Sequence, residues 1–196
     1  MLRTLALVPA VIAVLTGTAL AQGSGQRFGA IVGGATLSDM DNFPGVGDSR
    51  WGGTAGVLVG MNTGPTALTF EANWMQSGGG DVRLDYIELP LTLGAVGQIA
   101  GGSGRGRLYS GVSAAFKISC SAGPVADASV TDPCDRSDGL VWGWPIGLQL
   151  AKLSNAGSFV GIDVRYTVAL SSAFEFADVR NRPWAFRLMF GKQLGS

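Results

Sequence analysis

The feature that most constrains this chain is a strict two-residue alternation of side-chain character. Between Val160 and Leu170 every second residue is large and apolar, and the residues between them are small or polar. Successive side chains of a β-strand point to opposite faces, so this period suits a strand and not a helix. The pattern recurs over 68–75, 86–93, 140–150 and 184–191. An all-β fold is therefore predicted.

Eight segments are predicted to be strands, because Gly, Pro, Asn, Asp or Ser bound them. They are 27–37, 51–62, 66–76, 81–97, 105–118, 139–152, 157–171 and 183–194. The connections 38–50, 119–138 and 172–182 are long and polar, whereas 63–65 and 153–156 are short. Long loops that alternate with short turns are typical of outer-membrane barrels, and both chain ends then lie on the periplasmic side. Two connections depart from the pattern, since 77–80 is short for an outer loop and 98–104 is long for a tight turn.

The two faces of these strands decide the architecture. The large residues, aromatics included, share one face, while the other carries Gly, Ala, Thr and a few charges of both signs. Charged residues make up 14% of the chain, well below the ~25% of ordinary soluble domains. This distribution suits a barrel with large residues towards lipid and small or polar residues in a narrow lumen. An open edge would leave backbone groups unpaired in hydrocarbon, so the sheet must close. The predicted fold is a closed, antiparallel, up-and-down transmembrane β-barrel of about eight strands.

The N-terminal segment has the features of an export signal. Arg3 supplies a positive charge, residues 5–15 form an apolar core that is too short for a spanning helix, and Ala-Leu-Ala at 19–21 offers a cleavage site. The predicted domains are a signal peptide at 1–21 and an outer-membrane barrel at 22–196, with an uncleaved N-terminal anchor as the alternative. The expected partners are outer-membrane lipid and, during insertion, the barrel-assembly machinery of a bacterial cell.

Charged side chains on the inward faces are predicted to form a lumenal network of salt bridges and hydrogen bonds. They are Glu71, Glu88, Arg107, Lys117, Asp163, Arg165 and Arg187, accompanied by Asn73, Tyr109 and Gln149. Charges away from water persist only when they are paired, and an eight-stranded barrel is just wide enough for side chains to fill it. The network is therefore expected to plug the lumen. A narrow polar conduit is the alternative.

Composition argues against several kinds of chemistry. The chain has no histidine, so a Ser-His-Asp triad cannot form, and Glu71 and Glu88 suit structural pairing with arginine better than acid–base catalysis. No enzyme activity and no cofactor are expected. Asp132, Asp135 and Asp138 lack the spacing of a calcium loop, so no metal site is predicted. The formal net charge is zero, which offers no basic patch for nucleic acid.

The two cysteines, Cys120 and Cys134, lie in one polar segment that is rich in Pro, Gly and Asp. In an exported chain, two cysteines close in sequence predict a disulfide. Two free thiols are the alternative.

Tryptophans and prolines give two local expectations. Five tryptophans fall near predicted strand ends: Trp51, Trp74, Trp142, Trp144 and Trp184. Such placement suits aromatic belts at the two membrane interfaces, because indole is amphipathic; ordinary core tryptophan is the alternative.

Pro90 and Pro145 lie inside strands, where each removes a ladder donor, so bulges are expected there.

Residues 84–94 (LDYIELPLTLG) resemble a strand of the outer-membrane β-barrel domain family that includes PorT-like proteins, with Tyr86, Glu88 and Pro90 at the motif positions. Similar segments stand at 29–40, 70–74 and 163–171. The resemblance implies a porin-like outer-membrane barrel and supplies no substrate. The chain ends in Leu-Gly-Ser and not in the terminal aromatic residue of barrel-assembly signals, a role that Phe190 would have to take.

The expected function is that of a small barrel with a filled polar lumen and a structural or surface-binding role. Its outer loops at 38–50, 119–138 and 172–182 are the surface for an extracellular ligand whose identity the sequence leaves open. Two alternatives are a narrow-conductance porin and a soluble, lipocalin-like barrel with an apolar ligand inside. The second requires large apolar residues inside and charges outside.

Overall fold

The computed structural model describes residues 25–41, 49–99, 102–123, 134, 137–173 and 180–194. The predicted signal peptide at 1–21 lies outside the described residues. The strands are β1 (Gln26–Ser38), β2 (Met40–Asp41), β3 (Arg50–Thr63), β4 (Thr66–Gly79), β5 (Val82–Ile99), β6 (Gly104–Ala122), β7 (Leu140–Leu153), β8 (Ser158–Ala169), β9 (Arg180–Asn181) and β10 (Trp184–Gln193).

Eight of these strands close into a barrel in the order β1-β10-β8-β7-β6-β5-β4-β3. Closure follows because β1 pairs antiparallel with β3 on one side and with β10 on the other. Each barrel strand pairs with the next one along the chain. This confirms the predicted closed, antiparallel, up-and-down barrel. The largest boundary error is at the end of β6, which was predicted at 118 and extends to Ala122.

The apolar faces of the strands lie outside the barrel. On β10, Leu188 and Phe190 are each 53% exposed, while Arg187 between the outward positions is 3% exposed. On β8, Val160 and Ile162 are each 47% exposed. The soluble, lipocalin-like alternative is therefore wrong, because it requires the opposite distribution. No helix in the described part of the chain is long and apolar enough to cross a membrane.

One end of the barrel carries three strands that rise above the rest of the wall. The β4–β5 ladder continues to the pair Gly79–Val82, and the β5–β6 ladder to the pair Val82–Ala122. The β6–β7 pairing, in contrast, ends at Phe116. This explains the short connection at 77–80, since the strands themselves extend where a loop was expected. Gly80, with φ 51°, makes the tight turn in a conformation that suits glycine.

A two-stranded ribbon joins the first and last loops at this end. The last wall pair between β1 and β10 is Leu37–Trp184, and the ribbon pair Met40–Asn181 follows three residues further on in both strands. The register is therefore the same in the wall and in the ribbon. Arg182 N donates to Asp39 O across the gap (3.1 Å).

The prediction of bulges at Pro90 and Pro145 is wrong. Each proline interrupts the ladder on one side only, and the ladder resumes there in the same register. On the other side Pro90 still pairs with Ser113, and Pro145 with Thr167. The register shift lies elsewhere, because β6 inserts Ile118 between the partners of two consecutive β5 residues.

The tryptophans form a belt at one end of the barrel only. Trp51 and Trp184 stand at the loop-side starts of β3 and β10, and Trp142 and Trp144 lie near the start of β7. These four are 43–64% exposed, which excludes the reading as core tryptophan for them. Trp74 is half-buried in the same half of β4. The expectation of a tryptophan belt at both interfaces is corrected to one belt, at the loop end.

The predicted disulfide between Cys120 and Cys134 is confirmed, with a Cα–Cα distance of 5.5 Å. Cys120 lies on the part of β6 that extends beyond its pairing with β7. The covalent bond therefore anchors the loop end and leaves the barrel wall untouched.

We expect the double variant Cys120→Ser/Cys134→Ser to keep the folded barrel and to lose at most about 3 kcal/mol of unfolding free energy, the loop-entropy value for a closure of this length. Urea titration measures the loss, and heat-modifiable gel mobility reports the folded barrel. A variant without the heat-modifiable band would contradict the assignment of the disulfide to the loop end.

Candidate functional site

The middle of the lumen holds a cluster of paired charges, here called the central cluster: Glu71, Glu88, Asp163, Arg165 and Arg187. The Nη2 atom of Arg165 lies 2.6 Å from Glu71 Oε2, and its Nη1 lies 3.5 Å from Glu88 Oε2. The Nη1 atom of Arg187 lies 2.9 Å from Glu71 Oε2, while its Nε donates to Asp163 Oδ2 at 2.7 Å. Glu71 on β4 is therefore bridged by arginines from β8 and β10, across the barrel.

Tyr109 ties the cluster to strand β6. Its hydroxyl donates to Asp163 Oδ1 at 2.8 Å and accepts from Arg165 Nε at 3.0 Å. The ring lies over Gly147, its register partner on β7, and a Cβ at that glycine would meet the ring at Cε1, 2.8 Å away. The glycine thus provides the space for the tyrosine.

The charges buried in the middle of the lumen balance in number. Three carboxylates, Glu71, Glu88 and Asp163, are 0–2% exposed, and three arginines, Arg107, Arg165 and Arg187, are 2–5% exposed. Pairing of this kind offsets the large cost of removing charges from water. Side chains that meet across an eight-stranded barrel leave little free cross-section.

Two predicted members of the network lie outside the central cluster. Arg107 forms no ion pair with the described residues; it donates to Gln149 Oε1 (3.1 Å) and to Thr92 Oγ1 (2.8 Å). Lys117 is half-buried at the loop end, where it donates to Ser137 O at 2.6 Å. The prediction of a single network of all seven charges is therefore corrected. Five of them form the central cluster, Arg107 lies beside it, and Lys117 lies apart from it at the loop end.

The resemblance motif occupies consecutive inward positions of β5. Tyr86 and Glu88 are each 2% exposed, and Pro90 is among the fully buried side chains. Glu88 belongs to the central cluster through Arg165. The motif therefore lines the lumen and contributes one of its charges.

Sequence reasoning missed a hydrophobic lid, here called the mouth cap, at the loop end. It consists of Met40, Val82, Leu84, Tyr86, Ala115 and Ala173. Met40 comes from the ribbon and Ala173 from the last loop, and both are almost completely buried. The ribbon is held down by Asn181 Nδ2, which donates to Ser77 Oγ at 2.7 Å. A lone methionine in a polar loop was the only signal for this lid.

The opposite end of the lumen contains an apolar cavity of about 100 Å³, here called the turn-end cavity. Its described lining includes Phe28, Leu58, Phe159 and Met189. Large inward residues such as Leu58 and Met189 break the small-or-polar pattern of the inward face, and this was the signal that sequence reasoning passed over. Among the described residues, no group of three His, Cys, Asp or Glu is placed to hold a metal ion.

Comparison with known proteins identifies similar folds but shows no closer relationship. No protein-family model matches the chain, and no curated protein matches it. Among solved structures, Neisserial surface protein A superposes with a TM-score of 0.57 at 8% identity, covering 84% of this chain and 96% of that one. The outer membrane protein OprG from Pseudomonas aeruginosa gives 0.56 at 13% identity, covering 88% and 98%. Outer Membrane Protein W of E. coli gives 0.51 at 18%, covering 88% and 100%.

The outer surface agrees with this fold. A barrel wall whose outward residues are large and apolar, with an aromatic belt at one rim, is suited to lipid and not to water. The chain is therefore an eight-stranded barrel of the bacterial outer-membrane type, and its wall is in contact with membrane lipid.

Proposed function

We propose that this protein is a closed, non-conducting outer-membrane barrel that serves as a rigid support for a structured surface at its loop end. The central cluster carries the proposal. Its arginines reach carboxylates on strands from different sides of the barrel, such as Arg187 on β10 and Glu71 on β4. Breaking such buried pairs costs several kcal/mol, so the lumen stays closed under ordinary thermal motion.

The mouth cap supports the same proposal, because it adds a second barrier above the first. The competing function is that of a narrow-conductance porin. The turn-end cavity favours this alternative, because it leaves part of the lumen open. Arg107 and Gln149 line that cavity, and Arg107 lies over the ring of Tyr109, which donates to Asp163 of the cluster. A conducting path would therefore need the ion pairs to open.

We expect the purified barrel to give no steady single-channel current in planar lipid bilayers. The physical reason is that ions cannot pass a cross-section filled by paired charges without breaking the pairs. Heat-modifiable mobility of the reconstituted sample shows that folded protein is present. Steady channels of reproducible size would overturn the proposal in favour of the porin.

The loop end is the surface that this barrel would display. Lys117 and Ser137 link β6 to the following loop, the disulfide closes that loop, and the ribbon joins the first and last loops. A surface fixed in this way suits binding to an extracellular partner, since little ordering is required on binding. We also propose that the protein has no catalytic activity.

We expect an epitope inserted between Gly80 and Asp81 to be stained by antibody on intact cells. The same epitope between Asn155 and Ala156, in the short turn between β7 and β8, should be stained only after the outer membrane is permeabilised. Outer-membrane barrels place long loops outside and short turns in the periplasm. The reverse staining pattern would contradict the orientation and move the displayed surface to the periplasm.

A finer relationship, to PorT-like proteins, rests on the lumenal motif of β5. The inward placement of Tyr86, Glu88 and Pro90 supports this relationship, because side chains at lumenal positions must fit the packing inside the barrel.

A further inference from the structure

The turn-end cavity combines apolar walls with unused hydrogen-bond donors. Phe28, Leu58, Phe159 and Met189 form much of the wall, and Leu58 and Met189 are 2–3% exposed. A half-open apolar cavity of this kind favours a hydrocarbon group, since water gains few partners against its apolar wall. The cavity lies at the short-turn end of the barrel, away from the loop-end surface proposed above.

Three donors on lining residues have no partner among the described residues. They are Arg105 Nη1, Arg107 Nε and Gln149 Nε2. Arg107 and Gln149 are 5% and 7% exposed, and buried donors without an acceptor are rare in native proteins. Because all three are donors, the complementary group is an acceptor.

The charge of the cavity lining also favours a ligand that accepts hydrogen bonds. The described lining contains two arginines and no acidic residue. Arg107 balances the third carboxylate of the lumen in number, but Arg105 forms no ion pair with any described residue and adds a positive charge near the mouth of the cavity. An anionic acceptor would satisfy this charge together with the free donors.

We propose that the turn-end cavity binds a medium-chain monocarboxylate from the periplasmic side. The carboxylate accepts from Gln149 Nε2 and from the guanidinium of Arg105, and the hydrocarbon chain lies against Phe28, Leu58 and Phe159. The cavity volume of about 100 Å³ is smaller than the about 150 Å³ that holds a benzene ring, and the cavity is open on one side. Part of one hydrocarbon chain therefore lies inside and the rest extends through the open side, whereas the two acyl chains of a phospholipid do not fit.

Sodium octanoate is the probe that tests this proposal. It is titrated by calorimetry into the full-length mature barrel in lipid nanodiscs, with the heat from empty nanodiscs subtracted. We expect saturable binding. Octanol, which has the same chain length and no charge, should bind at least about tenfold more weakly, or about 1.4 kcal/mol. Absence of saturable octanoate binding, or equal binding of octanol, would overturn the proposal and leave an ordinary apolar void.

Two variants locate the site and one serves as a matched control. Arg105→Gln removes the cation at the mouth and should weaken octanoate binding about tenfold. Ala151→Trp, at another lining position, should abolish it by filling the cavity. Arg27→Gln changes an exposed arginine at the same end of the barrel and should leave binding unchanged. Heat-modifiable mobility verifies folding of each variant, and if Ala151→Trp does not fold, Arg105→Gln decides. Unchanged binding in Arg105→Gln, or an equal loss in Arg27→Gln, would contradict the site.

Discussion

Arg187→Met is expected to lower the unfolding free energy of the barrel by about 3–5 kcal/mol, the cost of removing one partner of a buried ion pair. Arg187 pairs with Glu71 and donates to Asp163, so its loss leaves both carboxylates undercompensated where both are 0% exposed. Methionine retains much of the volume, so the effect reports charge more than a cavity. Urea titration of liposome-inserted protein, followed by heat-modifiable mobility, measures the change.

The control for this variant is Lys192→Met, which removes a positive charge from an exposed position of the same strand. Surface substitutions of this kind usually change stability by about 0.5 kcal/mol or less. The double variant Arg187→Met/Asp163→Asn should recover part of the loss, because the orphaned carboxylate is neutralised. An Arg187→Met barrel as stable as the wild type would show that the central cluster does not hold the lumen closed.

The second large effect is expected from Gly147→Ala. Its added methyl would overlap the ring of Tyr109, which is 2% exposed and can make room only by leaving its packed position. Overpacking costs about 1–3 kcal/mol, and displacement of the tyrosine also loses its hydrogen bond to Asp163, worth about 1.5–3 kcal/mol for a charged partner. The same urea titration is the measurement.

Gly33→Ala is the matched control, because a Cβ at this strand glycine meets nothing closer than Thr54 O at 3.7 Å. It should be neutral or slightly stabilising, since alanine reduces the freedom of the unfolded chain. If the two alanine variants were equally stable, the contact between Tyr109 and Gly147 would not be a close-packed one.

The wall of the barrel was predictable because two-residue alternation states directly which side chain faces which side. Asp163, Arg165 and Arg187 could be assigned to the lumen from their positions between large apolar neighbours, with no knowledge of pairing. Alternation gives the face of a residue but not its height along the barrel axis. Lys117 was therefore placed with the central cluster, although it lies at the loop end beside Ser137.

Height depends on how far each strand is staggered against the next, and no local pattern encodes that stagger. The turn-end cavity was missed for this reason, since Leu58 and Met189 come together from β3 and β10 through β1. The ribbon was missed for another reason: Met40 and Asn181 are far apart along the chain, and a two-residue strand has no period to detect. A proline inside a strand does not require a bulge, because a strand has two neighbours and Pro90 and Pro145 each interrupt the ladder to only one of them.

The shared register of the β1–β10 ladder and the ribbon makes it harder for β1 and β10 to separate. The junction of the first and last strands is a seam that no hairpin turn connects, so only hydrogen bonds and side chains hold it. Here the seam does not stop at the membrane surface, because Met40–Asn181 and Asp41–Arg180 continue it beyond the wall. Lateral separation of β1 from β10 would have to break this extension and lift Met40 from the mouth cap. The fold thus fastens the junction of its first and last strands from beyond the end of the barrel wall.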